Sequence, residues 1–170
     1  MKPKFAFVSI AGLLLLMSGC AENEFPGNDR AAEEVAPKPA ADVAPAEDAV
    51  RQADLASTYP HTMSAKEYGK VVGGRTCRFS YTSVGDPVLV MASAGDDSAP
   101  APAVMKLNGK LFELKAKSDG KGGVARAGGV MAAVTPDDDH ATNGGPREAE
   151  FVFRIEGAEE VGYWGYYTCD

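Results

Sequence analysis

Two short, largely apolar stretches flank the dipeptide Asn108-Gly109, which lies early in the second half of the chain. Asn-Gly is the favoured pair for a two-residue type I′ turn, which joins two antiparallel strands into a hairpin. With this turn, the residues that lie opposite each other are Leu107 and Lys110, Met105 and Phe112, and Ala103 and Leu114. One face of the hairpin is then almost wholly apolar and requires a core. The sequence therefore predicts a β-sheet built around this hairpin.

Further segments of the C-terminal part have a strand-like period of two or form short apolar runs. They are residues 75–81, 87–92, 130–135, 149–156 and 161–169. If the last of these runs antiparallel to the first with Cys169 opposite Cys77, then Phe79 faces Tyr167 and the sheet closes on itself. We therefore predict an all-β domain over residues 75–170, a small antiparallel barrel or sandwich of about seven short strands.

The N-terminus has the layout of an export signal. Lys2 and Lys4 precede an apolar run over residues 5–17, which at 13 residues is shorter than the roughly 20 that a transmembrane helix needs. The run ends in Met17-Ser18-Gly19-Cys20, which resembles the lipobox of bacterial lipoproteins. This resemblance implies a signal peptide over residues 1–19 and lipidation of Cys20, with an ordinary signal peptide and a chance cysteine as the alternative. Because Ala21 is not Asp, it also implies the outer membrane, with the domain facing the periplasm.

Between the signal and the β domain the composition changes twice. Residues 20–58 are rich in Ala, Glu, Asp and Pro and contain one aromatic residue, Phe25, which predicts a disordered tether that contributes nothing to a core. Residues 59–74 are predicted to be a short helical or turn lead-in. Within it, Ser64 and Glu67 have capping-box spacing, and Gly69 is expected to end the helical turn.

Cysteine usage points to one disulfide bond. The chain has three cysteines, and lipidation of Cys20 leaves Cys77 and Cys169. In an exported protein two remaining cysteines usually pair, and their spacing fits no zinc motif. The alternative is two buried free thiols.

Charge limits the partners that the protein can take. The whole chain has a formal net charge of −7, and removal of residues 1–19 leaves 15 Lys and Arg against 24 Asp and Glu. Such a chain repels phosphate backbones, so we expect no nucleic-acid partner. The same charge favours an encounter with a basic protein.

The sequence offers little catalytic chemistry. It has two histidines, His61 and His140, and no nucleophile elbow, paired metal motif or phosphate loop. We interpret residues 137–140 as a solvated acidic loop, since they lack the ligand spacing of a calcium loop. Residues 120–123 are interpreted as a flexible hairpin tip. We therefore expect no catalytic residue, no metal and no cofactor.

The aromatic last segment supplies candidate binding residues. Because side chains alternate along a strand, about half of its rings should enter the core. This leaves Trp164 and Tyr166 as exposed candidates for recognition of a partner.

A cysteine in the first strand, the central Asn-Gly-Lys-Leu-Phe-Glu-Leu hairpin and the terminal Tyr-Thr-Cys resemble the bacterial membrane-bound inhibitors of c-type lysozyme. The resemblance covers roughly residues 77–169. It implies a small antiparallel barrel with a disulfide between its ends, and a loop serine and a lysine that enter the lysozyme cleft. The nearest match to the serine loop is residues 118–124, which gives Ser118 and Lys121 as candidates, although the family's tyrosine is missing. The chain has no lysine after Lys121, so only Arg147 or Arg154 could take the place of the family's later lysine.

These features favour a non-catalytic, lipid-anchored envelope protein with a small β domain for binding, of which an inhibitor of c-type lysozyme is the sharpest version. The alternatives are a structural or stress-related envelope lipoprotein without a soluble ligand, and an enzyme.

Overall fold

The structure is a computed structural model that describes residues 40–51, 58–93, 99–118, 121–137 and 145–170. The predictions for the signal peptide, for lipidation of Cys20 and for tether residues 20–39 and 52–57 lie outside the described residues. Residues 39–170 form one compact unit.

Eight antiparallel strands close into a barrel in which each strand pairs with its neighbours in sequence and β1 pairs with β8. The strands are β1 (Thr76–Ser80), β2 (Leu89–Ala92), β3 (Ala101–Leu107), β4 (Lys110–Ser118), β5 (Gly123–Ala127), β6 (Val130–Pro136), β7 (Arg147–Ile155) and β8 (Val161–Cys169). The predicted all-β fold is confirmed.

The two registers predicted from the sequence are also present. In the β3–β4 hairpin, Leu107 pairs with Lys110 and Met105 pairs with Phe112. Asn108 and Gly109 form the turn with φ values of 49° and 78°, as a type I′ turn requires. Between β1 and β8, Cys77 pairs with Cys169 and Phe79 pairs with Tyr167, which closes the barrel.

The barrel interior is filled by its own side chains. Its largest members are Tyr167, Phe79, Phe112 and Phe151, each with no exposed surface. The rings of Phe79 and Phe151 stack with centroids 4.8 Å apart. Eight-stranded barrels are narrow enough for side chains to fill them, so the interior of this one is a hydrophobic core.

The structure adds one strand, β5, that the sequence pattern did not predict. Gly123, which we assigned to a hairpin tip, begins this strand and pairs with Ser118 and with Val134. A Cβ atom at this position would lie 2.9 Å from the carbonyl oxygen of Lys117. Glycine is therefore needed for the close approach of the strands, and here it belongs to the sheet.

Residues 40–51 differ from the tether predicted for them, because they pack on the barrel. Ala44 donates a backbone hydrogen bond to Leu111, and Leu111 donates one to Asp42. Helix α1 (Ala46–Val50) follows, and its Ala46 and Ala49 are buried with the barrel core. Small alanine side chains let the helix approach the end of the barrel closely.

Residues 58–74 cover the outer faces of β2, β3 and β4. Met63 and Val72 are buried there in a second apolar cluster with Val90, Val104 and Leu111. Residues 40–51 and 58–74 together are called the strap below. The segment includes helix α2 (Ala65–Tyr68), and no helix of the described ranges is long and apolar enough to cross a membrane.

Glu67 of α2 fixes the strap to the barrel. Its carboxylate accepts hydrogen bonds from the backbone N–H of Ser64 at 2.8 Å and of Ala41 at 3.2 Å, and from Lys106 Nζ of β3 at 3.0 Å. The first of these bonds belongs to the predicted capping box. Burial by itself raises the pKa of Glu67, but these bonds and the Ser64 hydroxyl outweigh it and lower the pKa to about 2.

Candidate functional site

The outer surface of β7 and β8 carries an exposed aromatic and acidic cluster. Trp164 has 71% of its surface exposed, and it pairs across the strands with Glu150. Tyr166 is half-buried and pairs with Glu148. Both glutamates are exposed. We call these four residues the Trp164 face.

Strand alternation positions this face. On β8, Tyr163, Gly165 and Tyr167 turn inwards, so Trp164 and Tyr166 turn outwards. Gly165 is buried against Phe79 and Ser80 of β1, which holds the strand in register. The Trp164 ring is therefore presented by a strand whose inner side is packed in the core.

A shallow groove of about 350 Å³ lies beside Trp164 and Tyr166, bounded by Glu148 and Tyr81. Burial raises the pKa of Tyr81, with smaller contributions from Tyr163 and Tyr59. The Tyr81 hydroxyl donates a hydrogen bond of 3.0 Å to the carbonyl oxygen of Pro60. Tyr81 is therefore a neutral phenol, and the charge of the groove comes from the carboxylate of Glu148.

Ser118 does not lie where a serine that enters a partner's cleft must lie. Only 9% of it is exposed, and its hydroxyl donates a hydrogen bond of 2.7 Å to the carbonyl oxygen of Gly122. The same hydroxyl is 3.2 Å from the hydroxyl of Tyr167 in the barrel interior. The resemblance implied an accessible loop serine, whereas the structure makes Ser118 part of the end of the core.

Lys121 is exposed and lines an open groove of about 620 Å³ at the end of the barrel where β4 ends and β5 begins, and Ser118 belongs to the same lining. Of the two arginines that can stand in for the family's later lysine, Arg147 lies over the Tyr167 ring at 5.8 Å. Arg154 is exposed on the outer face of β7. Arg147 and Ser118 therefore both contact Tyr167, whereas Arg154 is on the outer face.

The two distal cysteines are bonded, with Cys77 and Cys169 sulfurs 2.08 Å apart. In the predicted acidic loop, Asp137 is described and residues 138–140 lie outside the described residues. Across the described ranges, no group of three or more His, Cys, Asp and Glu side chains is placed to hold a metal ion.

Comparison with known proteins places the chain in a family. Residues 16–170 match the family described as Domain of unknown function (DUF6692). The chain belongs to this family. No curated protein and no solved structure matches it. The DUF6692 match includes Cys20, the strap and the whole barrel.

The sequence pattern pointed to Trp164 and Tyr166 but not to Glu148 and Glu150 of this DUF6692 barrel. The signal for the glutamates was present in β7, where Ala149, Phe151 and the next odd positions are apolar and turn inwards. The even positions must then turn outwards. The sequence predicted β1 on one side of β8 but could not show that β7 lies on the other side, and it is this pairing that places the acids next to the tryptophan.

Proposed function

We propose that this DUF6692 protein is a non-catalytic envelope lipoprotein that binds a basic protein through the Trp164 face. A lipid on Cys20 would hold it at the outer membrane, with the barrel facing the periplasm. The observation that carries the proposal is Trp164, a large ring that is 71% exposed on a rigid strand with a carboxylate paired beside it.

The chemistry of this face suits a cationic partner. A lysine or arginine placed over the face of a tryptophan ring is attracted by the ring quadrupole, and this attraction grows when the pair is desolvated. Glu148 and Glu150 flank the two rings across the strands and would supply opposite charge. Tryptophan and tyrosine are also the residues that most often dominate the energy of protein interfaces.

The barrel itself favours binding on the outside. Its interior is filled by side chains such as Phe79, Phe112 and Tyr167, so a small ligand has no space between the strands. Among the eight described strands, closure of the sheet leaves no edge for pairing with an extended peptide. Recognition is therefore expected to use outward-facing side chains.

A c-type lysozyme is the partner that the sequence resemblance implies. Because Ser118 is buried, we propose that contact with lysozyme would rest on the Trp164 face, with Lys121 as the other accessible candidate. The inhibitory activity would then come from covering the cleft, without a serine inside it.

The test uses the mature polypeptide from Ala21 onwards, which carries no lipid. Binding to a c-type lysozyme is measured by titration calorimetry, and inhibition is measured as protection of cell walls from lysis. Trp164→Ala is expected to weaken binding about 30-fold or more, as for an interface hot spot. Val124→Ala is the matched control, because Val124 is a partly exposed apolar residue on the outer face of β5.

Absence of both binding and inhibition by the wild-type protein would eliminate lysozyme as the partner. Equal loss in the two variants would show that the Trp164 face does not carry recognition. Glu148→Gln with Glu150→Gln is expected to slow association and to reduce its salt dependence, because charges at an interface mainly affect the rate of encounter.

A further inference from the structure

The barrel has a second exposed face of opposite charge. On the outer surface, Lys115 of β4 pairs with Arg126 of β5, Arg126 pairs with Met131 of β6, and Met131 pairs with Arg154 of β7. Three cations thus lie in one row across four strands. At usual strand spacings this row is about 14 Å wide.

The neighbouring row adds one cation, Lys117, and is otherwise apolar. Lys117 pairs with Val124, Val124 with Ala133, and Ala133 with Val152. We call the outward residues of these two rows, together with Lys121, the basic face. Its five cations, Lys115, Lys117, Lys121, Arg126 and Arg154, are all exposed.

The two central strands of this face, β5 and β6, carry no carboxylate. Residues 121–136 contain no Asp or Glu. Carboxylates occur at the border: Glu113 precedes Lys115 on β4, Glu156 lines the groove next to Arg154, and Asp137 directly follows β6. Within the described part of the chain, no ion pair or hydrogen bond involves the side chains of Lys115, Lys117, Arg126 or Arg154. A protein with a net charge of −7 therefore keeps a positive field on one side.

We infer that the basic face docks on the anionic headgroups of a lipid bilayer. The cations are spread over the outside of a barrel. Arg126 and Arg154 line one open groove of about 530 Å³, and Lys117 and Lys121 line another of about 620 Å³. Such an open, spread-out arrangement of charge is better suited to a surface with many anionic groups than to one small ligand held in an enclosed pocket. Each lysine or arginine near an anionic membrane surface contributes about a fivefold increase in partitioning.

The proposed anchor makes weak docking sufficient. Only 19 residues separate Cys20 from Ala40, and about 20 residues of chain reach at most about 70 Å even when fully extended. A lipid on Cys20 would therefore keep the barrel close to the bilayer and make docking an intramolecular step. From the proposed function, this inference uses only the lipid anchor on Cys20.

Docking would leave the Trp164 face accessible. The basic face is centred on β5 and β6, whereas the Trp164 face is centred on β8, two strands beyond β6. The strap covers the outer side of β2 to β4. The barrel would then bind the bilayer on one side and a partner protein on another.

The experiment measures co-sedimentation of the lipid-free polypeptide from Ala21 with vesicles. Vesicles of phosphatidylethanolamine and phosphatidylglycerol are compared with vesicles of phosphatidylcholine at low salt. The wild-type protein is expected to bind the anionic vesicles only, and salt should weaken the binding. Arg126→Gln with Arg154→Gln is expected to lower the partition coefficient by about 25-fold, from about fivefold per cation.

The matched control is Arg51→Gln with Lys66→Gln, which changes the net charge equally at exposed positions of the strap. It is expected to lower partitioning by less than about twofold, because these cations lie outside the basic face. Thermal unfolding of each variant checks that the barrel is intact.

Three results would overturn the inference. They are absence of binding by the wild-type protein to anionic vesicles, equal loss of binding in the two double variants, and binding to a soluble polyanion such as polyglutamate without binding to vesicles. Trp164→Ala separates this inference from the proposed function, since it should weaken partner binding about 30-fold or more and leave vesicle binding unchanged.

Discussion

Replacement of Gly165 by alanine is predicted to destabilise the barrel strongly. Gly165 is buried in β8 and faces inwards. An added Cβ atom would lie 2.5 Å from Cζ of Phe79 and even closer to the backbone oxygen of Ser80. The oxygen belongs to β1, which pairs with β8, and the Phe79 ring is stacked on Phe151. Neither neighbour can give way without loss of packing or pairing.

Overpacking of this kind costs about 3 kcal/mol, and for a domain of this size such a loss lowers the Tm by roughly 10 °C. The matched control is Gly162→Ala on the outer side of the same strand, where the nearest atom is Oε1 of Glu150 at 3.6 Å. There the free energy of unfolding should change by no more than about 0.5 kcal/mol.

The assay is urea unfolding followed by circular dichroism, with the disulfide intact in all three proteins. A Gly165→Ala variant as stable as Gly162→Ala would refute the close packing of β8 on Phe79. It would also contradict the argument that close packing of β8 on β1 keeps Trp164 on a rigid strand.

Three further predictions concern stability. Glu67→Gln should lower the free energy of unfolding at pH 7 by about 2 to 3 kcal/mol. Because the folded-state pKa of Glu67 is lowered from 4.5 to about 2, the difference from wild type should be complete above about pH 4.5 and shrink towards pH 2 in urea titrations; a pH-independent difference would contradict it. Replacing Cys77 and Cys169 by alanine opens a link between residues 92 apart in sequence and should cost about 4 to 5 kcal/mol, so a loss below about 1 kcal/mol in denaturant unfolding would count against it. Ser118→Ala should cost about 1 to 2 kcal/mol, because it leaves buried polar groups at the end of the core with fewer partners; unchanged thermal unfolding would argue against the bond to Gly122.

The parts of the fold that the sequence predicted are those with local turn chemistry or strong alternation. Asn108-Gly109 requires positive φ values that few other pairs adopt, so one dipeptide set the whole β3–β4 register. The alternating aromatic residues of β8 predicted which of its side chains face inwards and which face outwards. Together with the two cysteines, they also indicated which strands close the barrel.

Strand β5 was missed because its sequence carries no such signal. A typical half-buried strand has large apolar residues facing inwards and polar residues facing outwards. In β5 the inward residue Ala125 is small and the outward residue Val124 is larger and apolar. In the sequence alone, Gly122 and Gly123 are typical of a turn. In the structure, the backbones of neighbouring strands come so close to these two residues that a larger side chain would not fit.

The packing of the strap on the barrel was missed for a different reason. Val90, Val104 and Leu111 face outwards on their strands and yet are buried. Apolar residues on both sides of a strand indicate that both sides are covered, but the sequence does not say which segment covers the outer side. Residues 40–51 have alanines and prolines that suggest an unstructured chain, and only packing against the barrel stabilises their short helix.

Site-specific photo-crosslinking in intact cells tests the proposed binding face most directly. A photoreactive phenylalanine analogue replaces Tyr166, which leaves Trp164 in place, and the same analogue at position 66 on α2, an exposed position of the strap, serves as the control. We expect one basic protein to be captured from position 166 and not from position 66. Capture of the same proteins from both positions, or of none from position 166 while the protein is folded and exported, would contradict recognition through the Trp164 face.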